Sequence, residues 1–214
     1  MYSLPYFKEK DIEVVKDFVR SNPFAFICGC DATHKPVATQ VPVFIDERDG
    51  KLVLSGHMMR NTDHHKAFEE NPNALAIFTG AHTYVSASWY EDKRQGSTWN
   101  YISVHARGTL RFLDEEALRN VLKRTTTHFE NNPYSGANFE DLPKEYIDKM
   151  IKAIVAFEIE VMEMDNVFKL SQNRDEKSFH NIIQKLDEQG VDGRRVAEEM
   201  KKRSSQLYKK DAKQ

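Results

Sequence analysis

Long apolar runs are missing from this 214-residue chain. No stretch reaches the roughly 18 residues that a membrane-crossing helix needs. The opening Met1-Tyr-Ser-Leu-Pro-Tyr-Phe-Lys8 lacks the basic-then-apolar order of an export signal, so a cytoplasmic protein without a membrane partner is expected. Cysteine is nearly absent. Cys28 and Cys30 stand two apart in an apolar run, where on a strand they share a face and sit too close for an ordinary disulfide. With no second Cys pair to complete a metal site, they read as reduced packing residues. A GxSxG elbow, a Walker loop and a GxGxxG turn are also missing, which removes the corresponding hydrolase, nucleoside-triphosphatase and dinucleotide-binding classes. Neither charge dominates: 31 basic residues face 33 acidic ones, so the surface as a whole is not built for polyanions.

The chain is long enough to bury one sizeable core without covalent staples. Val14, Val15, Phe18 and Val19 recur at helical spacing, and Asn22-Pro23 ends that helix. Residues 24–30 and 37–45 read as paired strands, and Arg48-Asp-Gly-Lys51 carries a hairpin signal into a third strand over 51–55. Residues 56–66 read as a loop entering a helix, capped by Asn61 or Thr62 and closed by Asn71-Pro72. Two strands, 74–78 and 83–86, flank Gly80; a long strand follows over 99–112, where Gly108 marks a bulge or a close backbone approach. Asp114 caps a helix with Ala117, Leu118, Val121 and Leu122 on one side, and Pro143 opens another. A central strand over 153–162 and two amphipathic helices, 178–189 and 192–202, complete the pattern. The economical reading is one α+β domain over 1–174 with a helical appendage over 175–214. The last 22 residues hold eight basic and three acidic side chains, a local charge of +5.

Both tryptophans fall between Tyr84 and Tyr101, in Tyr84-Val-Ser-Ala-Ser-Trp-Tyr90 and Thr98-Trp-Asn-Tyr101. Flat side chains beside hydroxyls and an amide suit a planar heteroaromatic ligand; Trp89, Tyr90, Trp99 and Tyr101 serve equally as β core or oligomer interface. A second concentration, Arg60, Asn61, Thr62, His64, His65 and Lys66, sits at a helix start. There backbone N–H groups, the helix dipole and cationic side chains attract an anion such as phosphate, unless the segment is only a solvated face. His57, His64 and His65 lack the i, i+4 spacing of a helical metal pair, so no metal is expected. A planar site plus an anion site on an antiparallel β scaffold suits a phosphorylated aromatic cofactor, and FMN fits both halves.

Six motifs in order, Gly56-His-Met-Met-Arg60-Asn61, Tyr84-Val-Ser-Ala-Ser-Trp-Tyr90, Thr98-Trp-Asn-Tyr101, Val104-His-Ala-Arg-Gly108, His128-Phe-Glu130 and Lys169-Leu-Ser-Gln-Asn-Arg174, run across nearly the whole chain. Their combination resembles the PaiB family of FMN-binding negative transcriptional regulators. Through it the chain is similar to split-barrel flavoproteins such as the pyridoxamine-phosphate oxidases. The resemblance implies an antiparallel split β-barrel with flanking helices, bound FMN, and a homodimer with the flavin at the subunit interface. It implies that Lys66 with His65, ahead of Asn71-Pro72, holds the flavin phosphate. Arg60 and Asn61 would reach the phosphate or ribityl chain, and the backbone from Thr39 to Val41 would face the ring. Ser88, Trp99 and Asn100 complete the implied contacts, the last two from the partner subunit. The chain departs from the family pattern where Ala87 and Ser97 stand in place of proline, and where the His-x-Ala-Arg loop reads His57-Met-Met-Arg60. The implied role is repression of the kind associated with protease production and sporulation. DNA contact would fall to the two C-terminal helices and the basic tail, unless those helices pack on the barrel and the tail is merely solvated. A flavin-dependent oxidoreductase or flavin reductase, with His57, His105 or Tyr101 as proton donor, is the competing reading. A haem-binding or haem-degrading split barrel with His64 or His82 as axial ligand is a third.

Overall fold

The computed structural model describes residues 1, 2 and 4–208, so the part of the basic tail carried by Lys209, Lys210 and Lys213 lies outside the described residues. Six strands are formed: β1 (Phe24–Cys30), β2 (Pro36–Arg48), β3 (Lys51–Met59), β4 (Asn73–Val85), β5 (Thr98–Phe112) and β6 (Ile154–Lys169). They close into a ring in the order β1-β2-β3-β6-β5-β4. Six helices accompany them: α1 (Ile12–Ser21), α2 (Asp63–Glu70), α3 (Glu115–Glu130), α4 (Lys144–Ala153), α5 (Glu176–Asp187) and α6 (Val191–Leu207). The fold is an α+β split barrel of antiparallel strands. Its contacts divide it into two compact units, one of Met1–Phe18, Thr79–Val104 and Asp165–Gln214, the other of Val19–Phe78 and His105–Met164. No helix among the described residues is long and apolar enough to cross a membrane.

In the second of these units β1 and β2 pair with Ala25 opposite Val41 and Ile27 opposite Thr39. Ala25 and Ile27 are buried while Phe24 and Phe26 point outward, the alternation of a strand with one covered face. The β2–β3 hairpin turns on Asp49 and Gly50, both at positive φ, which matches the right-handed twist of the strands. Residues 56–59, with the helix-entry pattern of a loop, continue β3 instead. Their backbone is taken up by β6, with His57 opposite Ala156, Met58 opposite Val155 and Met59 opposite Ile154. At Gly108 a Cβ would lie 2.0 Å from the Glu160 carbonyl oxygen, the close approach its place in the strand pattern suggests. Asp114 caps α3 by accepting from the Ala117 N–H at 2.9 Å. That directs Leu118, Val121 and Leu122 onto Ile147 and Ile151 of α4 and Ile154 and Ala156 of β6. Each such aliphatic side chain withdrawn from water contributes about 1.5–3 kcal/mol.

In the first unit β4 is one strand rather than two. Gly80 does not break it; a Cβ there would meet the Phe18 ring at 2.7 Å. Asp175 caps α5, its carboxylate accepting from the Ser178 N–H at 2.8 Å. The buried face of α5, Phe179, Ile182, Ile183 and Leu186, belongs with Val196, Ala197 and Met200 of α6 to this unit's core. The short 3-10 turn Ala87–Trp89 packs on α5.

Candidate functional site

The β2–β3 ladder runs from the hairpin to Val43 opposite Gly56 and stops there. Pro42 has no N–H to donate, and a Cβ on Gly56 would lie 2.8 Å from the Pro42 carbonyl, so glycine is what allows the last close pairing before the strands part. Beyond that point β3 keeps only β6, its partner from Val53 onward, and β2 keeps only β1. The stretch from Thr39 to Val41, with Thr39 and Val41 half-buried and Gln40 exposed, therefore carries backbone on its β3 side that no strand among the described residues takes up. The Arg60-Asn61-Thr62 turn follows β3 and leads into α2, which packs on β1 and β2.

The turn is held firmly. Arg60 donates its N–H to the Ala153 carbonyl at 2.8 Å and its Nε to the Ile154 carbonyl at 2.8 Å, leaving its two terminal nitrogens without a partner. Asn61 takes a positive φ of 62°, a left-handed position that asparagine tolerates, and its side chain is exposed. Thr62 caps α2 by accepting from the His65 N–H at 3.3 Å, and Asp63 accepts from the His64 N–H at 2.8 Å. The free N–H groups that a helix start offers an anion are thus partly consumed, and the hydrogen bonds from His64 hold the Asp63 carboxyl below its ordinary range. What remains open to an anion is side-chain charge. Lys66 is exposed and has no carboxylate partner among the described residues.

His65 is placed differently from its neighbour. Its ring is buried against Phe112, with centroids 4.7 Å apart, its Nδ1 has no hydrogen-bond partner, and the nearest Glu69 oxygen is 3.6 Å away. Burial pushes its pKa below the usual 6.5; the positive groups Arg60, His64 and Lys66 push the same way, against Glu69. The ring is therefore neutral at pH 7. Arg60 is half-buried, Asn61 and Lys66 are exposed, and His65 is buried on the side of α2, a helix that packs on β1 and β2. A flavin phosphate finds charge to meet it here: among the described residues Arg60 and Lys66 form no ion pair, while Asp63 and Glu69 of α2 oppose an anion.

Ser88, Trp99 and Asn100 belong to the other unit. Ser88 is exposed, its hydroxyl 2.8 Å from that of Ser86. Trp99 is 53% exposed beside the rings of His82 and Tyr84, a surface platform rather than core. Asn100 is fully buried, accepting from the Ser171 hydroxyl at 3.0 Å and donating to Met200 Sδ at 3.5 Å, so its amide ties β5 to α6. The aromatic stretch thus divides: Tyr90 is core under the Arg174 guanidinium, 4.1 Å from its ring centre, and Trp99 is surface.

Lys169 has a role that motif order alone did not assign. Only 8% exposed, it donates to the Thr98 hydroxyl and, at 2.6 Å, to the Trp99 carbonyl, and burial lowers its pKa. It positions the backbone on which Trp99 and Asn100 stand. Its place inside the apolar stretch Val167-Phe-Lys-Leu170, at the head of the motif that runs to Arg174, was the signal in the sequence. His64 spends both ring nitrogens locally, on Thr62 at 3.0 Å and Asp63 at 3.2 Å. Among the described residues no cluster of three metal-ligating side chains forms. Cys28 and Cys30 are free thiols, the first pushed to a higher pKa by burial and the second accepting from Asn71.

The class defined by this fold is that of the split barrels. A solved FAD and heme binding protein from Mycobacterium smegmatis superposes with a TM-score of 0.57 at 17% identity, covering 76% of this chain and 73% of that one. The flavocytochrome Anf3 of Azotobacter vinelandii gives 0.54 at 18%, covering 78% and 72%. At that identity these likenesses concern the fold alone. Residues 1–163 match the family described as "Putative FMN-binding domain", and the chain belongs to that family, whose cofactor is FMN. It is also 30% identical over 201 residues, 94% of this chain and 96% of the relative, to "Protease synthase and sporulation protein PAI 2" of Bacillus subtilis (strain 168).

Proposed function

We propose that this protein is a cytoplasmic, homodimeric FMN-binding regulator of the PaiB type, acting as a negative regulator of transcription. The observation that carries the flavin half is the pair of cations without counter-charge, Arg60 and Lys66, set where β2 and β3 part. In this reading Lys66 and the free nitrogens of Arg60 hold the phosphate, and Asn61 meets the ribityl chain. The unpaired backbone from Thr39 to Val41 meets the edge of the ring. Thr62 and His65 position the turn rather than bind through charge. FMN supplies redox chemistry when bound; the chain's own contribution is to hold and orient it. Ser88 and Trp99, both exposed, and Asn100 through its hold on β5 stay as candidates for contacts made by the partner subunit.

The regulatory half is supported by likeness to PAI 2, whose name concerns protease synthesis and sporulation, across nearly the full length of both chains. Direct DNA contact would use α5, α6 and the basic residues after Gly193. The barrel domain over 1–174 and the appendage over 175–214 are the parts to be separated in testing it.

Flavin binding is tested by titrating apo protein with FMN and following flavin fluorescence. Lys66→Ala is expected to weaken binding about tenfold to a hundredfold, the range for losing a hydrogen bond to a charged group. Unchanged affinity would remove Lys66 from the phosphate site. Retention on DNA that is salt-sensitive and sequence-selective, and is lost on truncation before Glu176, is expected of a direct regulator.

A further inference from the structure

Three polar side chains of the motif Lys169-Leu-Ser-Gln-Asn-Arg174 reach one target, the segment that carries both tryptophans. Lys169 donates to the Thr98 hydroxyl and, at 2.6 Å, to the Trp99 carbonyl. The Ser171 hydroxyl donates to the Asn100 side chain at 3.0 Å. Arg174 donates to Gln95 and lies over the Tyr90 ring, 4.1 Å from its centre. The turn itself is tightly made. Ser171 takes a positive φ of 63°, uncommon outside glycine, and its carbonyl accepts the Arg174 N–H at 3.0 Å. Gln172 folds back on the turn, accepting from the Leu170 N–H at 2.7 Å and donating to the Phe168 carbonyl.

We propose that this turn is a clasp that places Trp99 over the flavin held by a second copy of the chain, with Lys169 as the positioning residue. The proposal rests on the flavin reading, in which Trp99 is a contact made by the partner subunit. Trp99 is 53% exposed, so its indole contributes little to the core of its own chain. The backbone beneath it is nevertheless fixed by a buried lysine. Among the described residues Lys169 donates its hydrogen bonds to neutral oxygens alone. Burial lowers its pKa, and the like charge of Arg174 acts in the same direction. A cation buried without a counter-charge costs a fold stability. What it supplies is placement, because charge-assisted bonds to two adjacent residues hold the Trp99 backbone in one position. An aromatic side chain fixed before its ligand arrives loses less freedom on covering it. The rings of His82 and Tyr84, 5.8 and 6.3 Å from that of Trp99 between centres, extend the aromatic surface offered to a planar ring.

The sign of the stability effect separates placement from support. A lysine that served only to stabilise β5 would lower the urea midpoint when replaced. A positioning lysine lowers flavin affinity and leaves the midpoint near that of the parent, since an apolar side chain suits the buried position at least as well.

Full-length protein carrying Trp89→Phe has Trp99 as its one tryptophan. Titration with FMN then gives the affinity from flavin fluorescence and the Trp99 contact from quenching of indole emission. In this parent FMN is expected to quench Trp99, and Trp99→Leu should bind about fivefold to tenfold more weakly for want of one aromatic contact. Lys169→Met is expected to lose affinity by a similar factor, with less quenching and an unchanged urea midpoint. The double variant Lys169→Met, Trp99→Leu should be no weaker than Trp99→Leu alone, because the lysine acts through the ring. Thr98→Val removes one acceptor and keeps the lysine, so it is expected to fall between the parent and Lys169→Met, and it carries the test if Lys169→Met does not fold. Additive losses in the double variant overturn the clasp, as does parental affinity and quenching in Lys169→Met or, where that variant does not fold, in Thr98→Val. A Trp99→Leu protein that binds FMN as the parent does overturns it equally. If the parent takes up no FMN, the flavin reading falls, and the positioning of Trp99 is decided in apo protein. There a drop in Trp99 emission anisotropy in Lys169→Met supports it and an unchanged anisotropy overturns it.

Discussion

His57 on β3 and His65 on α2 are both held where charging them is opposed, His57 by burial and His65 by burial together with Arg60, His64 and Lys66. Their folded pKa values lie below the ordinary 6.5 of the unfolded chain. The sign follows: the stability they contribute is complete above 6.5 and is lost as pH falls from there toward the folded values, because the unfolded chain takes protons first. The urea midpoint is expected to be flat from about pH 7 upward and to drop on acidification below the ordinary histidine value. A His57→Phe, His65→Phe double variant should lose much of that drop; an identical profile would place its origin elsewhere. Glycines show how far residue-scale reading of sequence extends. Gly108 and Gly80 both interrupt strand patterns, yet a Cβ on the first would lie 2.0 Å from a carbonyl oxygen of a neighbouring strand and on the second 2.7 Å from a phenyl ring. A ring can turn aside and a sheet backbone cannot. Gly108→Ala is therefore expected to cost about 3 kcal/mol or more, and Gly80→Ala clearly less, by urea denaturation. That a close approach exists was legible; what approaches was not, because the neighbour comes from distant sequence.

Elements were legible where the local signal and the tertiary partner agree. The Asp114 cap, the Asp-Gly hairpin and the Gln189-Gly190 turn fall where their chemistry places them. The misread stretch, residues 56–59, holds a glycine and a histidine and leads into a cap, yet β6 supplies the pairing that keeps it extended. The α2 start is the element on which phosphate binding turns. Thr62 and Asp63 together satisfy two of its first N–H groups, and Asp63 is the one acidic residue of its first turn. Asp63→Asn keeps an oxygen for the His64 N–H and removes the charge facing an incoming phosphate. FMN affinity in that variant is expected to rise about threefold to tenfold, read by fluorescence titration at low salt, where such charge effects are least screened. A fall would mean that the phosphate lies away from the α2 start.

At the scale of the whole molecule, the outer side of β1 presents a surface that a monomer has little reason to keep. Phe24 is 56% and Phe26 40% exposed, and the register sets Pro42 and Gln40 of β2 and Ile77 of β4 beside them. Adjacent exposed aromatics on a sheet face, hemmed by further apolar side chains, mark an interaction surface, and the homodimer proposed above supplies an occupant. A two-fold dimer sets the same patch against itself, so each substitution is felt twice across the interface. Periodicity alone exposes Phe24 and Phe26 by alternation; that a second copy should cover them came only from the likeness of the motifs. Light scattering on the purified protein is expected to give about twice the 24.9 kDa of one chain. Replacing Phe24 and Phe26 together by serine should yield the single-chain mass with little change in far-UV circular dichroism, since neither ring contributes to the buried core. If Trp99 or another contact reaches FMN from the partner, the same monomeric variant loses flavin affinity although Arg60 and Lys66 are intact. A monomer that binds FMN as the parent does would place every flavin contact within one chain, and a variant that stays dimeric would move the interface off β1.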